Sequence, residues 1–417
     1  MKINNIHIQN FKGIEDKIYR FNPQFTVLIG DNGSGKSSIL DAIAIAIGTI
    51  LLKTNTPFGI NGQKSRPLLD NEVRKVMMSS ENIEYMSVKL AGEFSYKEQI
   101  LEWERTKTRS AKSLLRREAK ELVELGKQFI ENVDKPFNLP VFAYYSTSRS
   151  IGSTPRKISY QRLDSRLSGY AYCLDTKSAN LSFKSWFKTF EDNALKFNKD
   201  KTLYNAFSEA LSLMVNDWTQ IHYHWGLDDI IGLREDGSWL PMRDLSDGYK
   251  GILKLAADIA YRSIKLNPHL GAKAVEETEG IVLIDELDIH LHPKWQQKII
   301  ADLKNTFPKI QFITTTHSPF IVQSLKANEI LNLDAQQIDQ HPDSMTLEEN
   351  ALFMGIRNKH SLSFNHKEKL AIDYLQLLNN KDNGKGLEKL ETLIDLTQDP
   401  VLKAKLKLEK LSKFGKK

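Results

Sequence analysis

The chain has 417 residues, 41% of them hydrophobic and 26% charged, proportions of a globular protein long enough for two or three domains and a sizeable core. Its one cysteine, Cys173, excludes a disulfide framework, and no uninterrupted apolar run reaches the roughly 18 residues that span a bilayer. The net charge of +6 is too mild to argue nucleic-acid binding by itself. The opening MKINNIHIQNFKGIEDK has no signal-peptide apolar core, so a reducing cytoplasmic setting with no membrane partner is expected.

Alternating apolar positions Ile3, Ile6 and Ile8 predict a first strand over residues 2–9, and residues 17–21 a second. Residues 25–29 form a short apolar run ending at Gly30, and residues 38–52 read as an Ala- and Ile-rich helix buried on most sides. Strands are expected over 83–94 and 99–106, then a helix over 110–132 with Leu114, Leu115, Leu122, Val123, Phe129 and Ile130 on its apolar side. PVFAYY, residues 140–145, reads as a buried strand leading to a polar loop, and residues 151–217 as a helical insertion. Beyond it, strands over 220–225, 230–234, 281–284 and 310–315 alternate with helices over 248–266 and 294–307. That alternation argues a mixed or parallel α/β sheet. After a last apolar run at 330–333 the composition turns to polar, Leu- and Lys-rich helix formers, without a fixed repeat or low-complexity tract.

Four stretches carry chemistry. In FTVLIGDNGSGKSSIL, Gly30, Gly35, Lys36 and Ser37 fit a phosphate-binding loop between a strand and a helix. There, glycines let backbone N–H groups wrap phosphates, the lysine reaches the β/γ-phosphates and the hydroxyl takes Mg²⁺. In IVLIDELDIHLHP, Asp285 and Glu286 end a fully apolar strand. Beside a phosphate loop, one acid would hold the Mg²⁺ shell and the next polarise the attacking water. In FITTTHSPF, His317 sits at the end of a strand, where ligands bind in open α/β sheets. DLSDGYKGI, taken alone, is a helix cap.

In this order the four motifs resemble the ABC-type ATPases, more closely the RecF, SMC and OLD branch than transporters, from residue 2 to 334. Asn32 in the loop, the opening IHIQNFKGI and the strings DELDIHLHP and TTTHSPF carry that likeness. The resemblance implies an α/β ABC-type ATPase head of mixed β-sheets with flanking helices, helical insertions and a C-terminal helical extension. It assigns ATP phosphate binding to Gly30, Asn32, Gly33, Ser34, Gly35, Lys36, Ser37 and Ser38, and Mg²⁺ to Ser37 and Asp285. Glu286 becomes the base, His317 the switch residue, and Ser246, Asp247 and Gly248 the signature that closes on the nucleotide of a partner subunit. A homodimer or higher homo-oligomer follows from that implied arrangement. Asp247 departs from the usual glycine, and no glutamine clearly fills the family's glutamine-loop position, for which Ser148 and Arg149 are weak substitutes.

The interval between Lys36 and Ser246 lacks the heptads of a long SMC arm, and the tail lacks the clustered acids of an OLD-type nuclease. The size, LSDGYKGILKLAADIAYR and the tail DPVLKAKLKLEKLSKFGKK look most like the ATPase subunits of Septu-type and retron-associated antiphage systems, the PtuA group, whose partner is an HNH-type nuclease. A RecF-like DNA-binding repair factor is the alternative. The expected organisation is the N-terminal part of the head at 1–150, the insertion at 151–217, the rest of the head at 218–335 and a partner-docking region at 336–417. Two basic stretches are candidates for nucleic-acid or partner contact: Arg105, Lys107, Arg109, Lys112, Arg116, Arg117 and Lys120, and Lys403, Lys405, Lys407, Lys410 and Lys413. A solvated face is the commoner reading of such runs.

Overall fold

The computed structural model describes residues 1–53, 66–77, 83–107, 119–147, 165–174, 187–188, 191–192, 201–215, 218–334 and 342–355, with 394, 403, 407 and 408 beyond them. The Ile3, Ile6 and Ile8 alternation produces β1 (Lys2–Phe11), which turns through Lys12 and Gly13 into the antiparallel β2 (Ile14–Arg20). The continuous apolar run forms β3 (Phe25–Ile29), buried along its whole length, and the phosphate-loop sequence leads into α1 (Lys36–Ile50). From Ile39 to Ile50 every residue of α1 is buried, as expected of a helix apolar on most sides, with the carboxylate of Asp41 held by Arg66. Each fully buried isoleucine side chain there stabilises by about 1.5–3 kcal/mol.

The stretch at 83–94 is two strands rather than one. A short β4 (Lys75–Met77) pairs with β5 (Ile83–Tyr85), whereas β6 (Val88–Tyr96) joins β1, and β7 (Gln99–Lys107) completes the sheet order β2-β1-β6-β7. The change of sheet falls at Met86 and Ser87, where the Met86 N–H bonds the Arg74 carbonyl and Asn10 Nδ2 bonds the Ser87 carbonyl. α2 (Lys120–Glu131) is the described part of the helix expected over 110–132.

A five-stranded parallel sheet runs in the order β14-β3-β13-β12-β8, built from β3, β8 (Val141–Tyr145), β12 (Gly280–Ile284), β13 (Ile310–Thr315) and β14 (Ile330–Asn332). Between β8 and β12 the chain forms α3 (Thr202–Met214), the antiparallel β9 (Trp218–His224), β10 (Asp229–Arg234) and β11 (Trp239–Pro241), and then α4 (Asp247–Leu266). The strand at 239–241 has no counterpart among the sequence expectations. α3 packs against α4 and buries Phe207, Ala210, Leu211 and Met214 in the main core. The helix expected over 294–307 is two, α5 (Pro293–Gln296) and α6 (Ile299–Thr306). A tight bond from the Lys298 N–H to the Trp295 carbonyl at 3.0 Å interrupts the ladder between them. α7 (Pro319–Gln323) and α8 (Leu347–Phe353) follow. Met1–Gly355 form one compact unit and Ile356–Lys417 a second. Among the described residues no helix is long and apolar enough to cross a membrane.

Candidate functional site

In parallel pairing, β3, β13 and β12 point the same way and end side by side. The residues just past their carboxyl ends therefore meet, the position ligands take in open α/β sheets. After β3 the loop turns through Gly30, Gly33 and Gly35 at φ of 149°, 87° and 102°, a backbone path that residues with a Cβ rarely take. At Gly30 an added Cβ would also stand 2.8 Å from both Ser34 Oγ and Asp334 Oδ2. Asp31, Asn32 and Gly33 are exposed at the loop's tip, and Gly35 caps α1, so Lys36, Ser37 and Ser38 fall in its first turn. The four free N–H groups of that turn and the positive end of the helix dipole favour an anion.

Lys36 folds back into the loop and donates from Nζ to the Gly30 carbonyl at 2.7 Å and the Asp31 carbonyl at 2.9 Å. Burial lowers its pKa, opposed by the carboxylates of Asp334, Asp285, Asp31 and Glu286. Ser34 Oγ is buried inside the loop without a protein hydrogen-bond partner, a donor that a phosphate oxygen would satisfy.

Past β12, the Asp285 carboxylate is buried, and its Oδ1 accepts from Ser37 Oγ at 3.2 Å and from Thr315 Oγ1 at 2.7 Å. Glu286 is half-buried and lies at φ 49°, with its N–H donating to Thr315 Oγ1 at 2.7 Å. Past β13, His317 is exposed, and its backbone N–H donates to Asp288 Oδ1 at 3.2 Å. The Thr316 hydroxyl donates to the same oxygen at 2.5 Å. Ser318 caps α7, accepting from the Phe320 N–H at 3.1 Å and donating to Gln296 Oε1 at 2.6 Å. A hydroxyl and one carboxylate suit Mg²⁺, which prefers oxygen ligands and takes most of its shell from water and substrate phosphates. Among the described residues no group of three or more His, Cys, Asp and Glu could hold a metal ion.

The phosphate loop, Asp285, Glu286 and His317 are thus brought together. Ser246 is exposed and caps α4, accepting weakly from the Tyr249 N–H at 3.5 Å; Asp247 is exposed, 3.6 Å from Lys250 Nζ. Their link to the site runs through Gly248, which packs on the His290 carbonyl of the loop after β12. Sequence reasoning missed Thr315, Asp288 and Asp334. The first two lie inside the quoted strings TTTHSPF and DELDIHLHP, whereas Asp334, whose carboxylate accepts from the Asp31 N–H, reaches the loop because β14 pairs with β3.

The expectation for the basic stretch is corrected at two residues. Arg105 is buried, donating to Thr49 Oγ1 at 2.8 Å against α1. Lys107 is largely covered, donating to the Leu68 carbonyl at 2.9 Å and pairing with Asp70 at 2.5 Å. Strand alternation turns Arg105 inward beside Trp103, so a phosphate backbone cannot reach it. Arg109, Lys112, Arg116 and Arg117 lie outside the described residues, as do Ser148, Arg149, Lys405, Lys410 and Lys413.

Residues 25–323 match the family described as "AAA domain, putative AbiEii toxin, Type IV TA system". The chain is 28% identical to "Retron Vc95 probable ATPase" of Vibrio cholerae serotype O1 biovar El Tor, over 79% of this chain and 73% of that one. It is also 28% identical to "Retron Ec83 probable ATPase" of Escherichia coli, over 79% and 71%. A "Septu protein PtuA" of Bacillus mycoides (strain KBAB4) is 30% identical over 79% of this chain and 40% of that protein. An SMC head domain from Thermotoga maritima aligns with a TM-score of 0.45 at 16% identity, covering 80% of this chain and 94% of that one.

Proposed function

Since the chain belongs to this family of AAA domains, we propose that it is an ATPase of an antiphage defence system, using ATP and Mg²⁺ to control a nuclease partner. The observation that carries the reading is the Ser37 hydroxyl 3.2 Å from Asp285, with Glu286 next to it and His317 one strand away. That is a phosphate anchor, a metal-holding pair and a base gathered at the carboxyl end of the sheet's inner strands. When bound, Mg²⁺ neutralises charge on the phosphoryl group being transferred. Lys36 exchanges the Gly30 and Asp31 carbonyls for phosphate oxygens, and the N–H groups of 33–38 wrap the anion. Glu286 takes a proton from the attacking water, and His317 hydrogen-bonds the departing phosphate.

In the proposed reading the chain works as a homodimer or larger homo-oligomer in which Ser246, Asp247 and Gly248 of one subunit close on the nucleotide of the other. The names of the retron and Septu relatives support the defence setting, and an HNH-type nuclease is the effector proposed for it. Residues 336–417 are the proposed dock. A tagged Glu286→Gln protein, recovered from its own host with co-purifying proteins identified by mass, tests this. A stoichiometric small nuclease supports the reading; DNA with recombination proteins would move it to repair.

A further inference from the structure

Glu286 sits at φ 49°, a conformation rare for a residue with a Cβ and kept only where neighbours enforce it. Thr315 supplies two of the bonds that do so: its hydroxyl accepts from the Glu286 N–H at 2.7 Å and its carbonyl from the Leu287 N–H at 2.9 Å. The Ile289 N–H closes the turn on the Glu286 carbonyl at 3.1 Å. The proton of the same hydroxyl goes to Asp285 Oδ1 at 2.7 Å, the oxygen that also receives Ser37. A hydroxyl has one proton to give, so this donation and the acceptance from Glu286 fix its orientation. Thr315 is fully buried, which leaves no bulk water to take its place. It ends β13, the strand lying between those that carry the phosphate loop and the acidic pair.

We propose that Thr315 is a positioning residue: one hydroxyl aims Asp285 at Ser37 while holding the left-handed turn that presents Glu286. This rests on the ATPase reading above. Valine keeps the shape of threonine and removes both bonds of the hydroxyl, to the Glu286 N–H and to Asp285 Oδ1; serine keeps both and removes a methyl group. In the full chain, Thr315→Val is expected to lower kcat and to raise the half-saturating Mg²⁺ concentration, each by about 10- to 100-fold, as for other residues that orient metal ligands. ATP binding measured in EDTA stays as in wild type, and Thr315→Ser restores kcat and Mg²⁺ requirement. A Thr315→Val protein with wild-type values of both, or equal losses in Val and Ser variants, overturns the proposal. If Thr315→Val does not melt cooperatively, Thr315→Ala against Thr315→Ser makes the same comparison. A wild-type chain that binds but does not hydrolyse ATP defeats the ATPase reading instead, and the Mg²⁺ dependence of ATP binding still reads the hold of Thr315 on Asp285.

Discussion

Gly248, at the start of α4, lies so close to His290 that a Cβ on it would stand 2.4 Å from the His290 carbonyl oxygen. Beside them the rings of Tyr249 and Trp295 meet edge to face, centroids 4.0 Å apart. Gly248 therefore has a structural role of its own, holding α4 against the loop that follows Glu286. Because the obstructing atom is backbone, Gly248→Ala is expected to destabilise the chain by about 1–3 kcal/mol. Thermal melting without nucleotide checks this; an unchanged midpoint would show that the loop gives way freely.

Lys36 and Glu286 separate binding from chemistry. Lys36→Ala is expected to abolish ATP binding, since the cation that rests on the Gly30 and Asp31 carbonyls is lost. Glu286→Gln keeps the shape and the Thr315 bond to its backbone but gives up the proposed base, so it is expected to bind ATP and to trap the proposed dimer. Nucleotide binding, phosphate release and light scattering distinguish the two, and equal turnover in both variants and wild type would refute the assignment.

Arg105 should behave as a core residue. Its guanidinium bonds the Thr49 hydroxyl under α1, so Arg105→Ala is expected to cost about 1.5–3 kcal/mol, the scale of a hydrogen bond to a charged group. The salt dependence of any nucleic-acid binding should not change, because a buried cation neutralises no phosphate. A flatter salt slope with unaltered melting would return Arg105 to the surface.

The Glu72 carboxylate links acid stability to the N-terminal turn. Burial alone would raise its pKa, but Arg66, the Leu69 N–H and Lys12 outweigh that and leave it below its ordinary value of 4.5. Arg66 grips it at 2.6 Å and 3.2 Å and also reaches Asp41 at 2.9 Å. A depressed folded pKa stabilises above the unfolded value and is lost as pH falls through the folded one. The melting temperature of wild type should therefore drop as pH falls below about 4.5, and more steeply than that of Glu72→Gln. Parallel curves would remove Glu72 from the account.

The phosphate loop and the acidic pair were legible because each is local. The glycines, Lys36 and Ser37 lie in one contiguous stretch between a strand and a helix, and Asp285 and Glu286 end an apolar run, so composition and order sufficed. Strand and helix types followed from periodicity, while their ends and breaks did not. Met86 and Ser87 divide two strands through bonds to Arg74 and Asn10, partners that periodicity cannot name.

What tertiary structure alone decided is which distant residues share a hydrogen bond. The pairing of β13 between β3 and β12 sets Thr315 and His317 between the loop and the acids and gives Thr316 and Asp288 their bond. Had β13 lain at the sheet's edge, the same TTTHSPF string would have been an ordinary strand end. Arg105 shows the converse: its charge suggested a solvated face, but pairing with β6 and packing on α1 turned it inward. Residue type and spacing fix what a segment can bind; strand order, set by burial of whole faces, fixes whether it meets its partners.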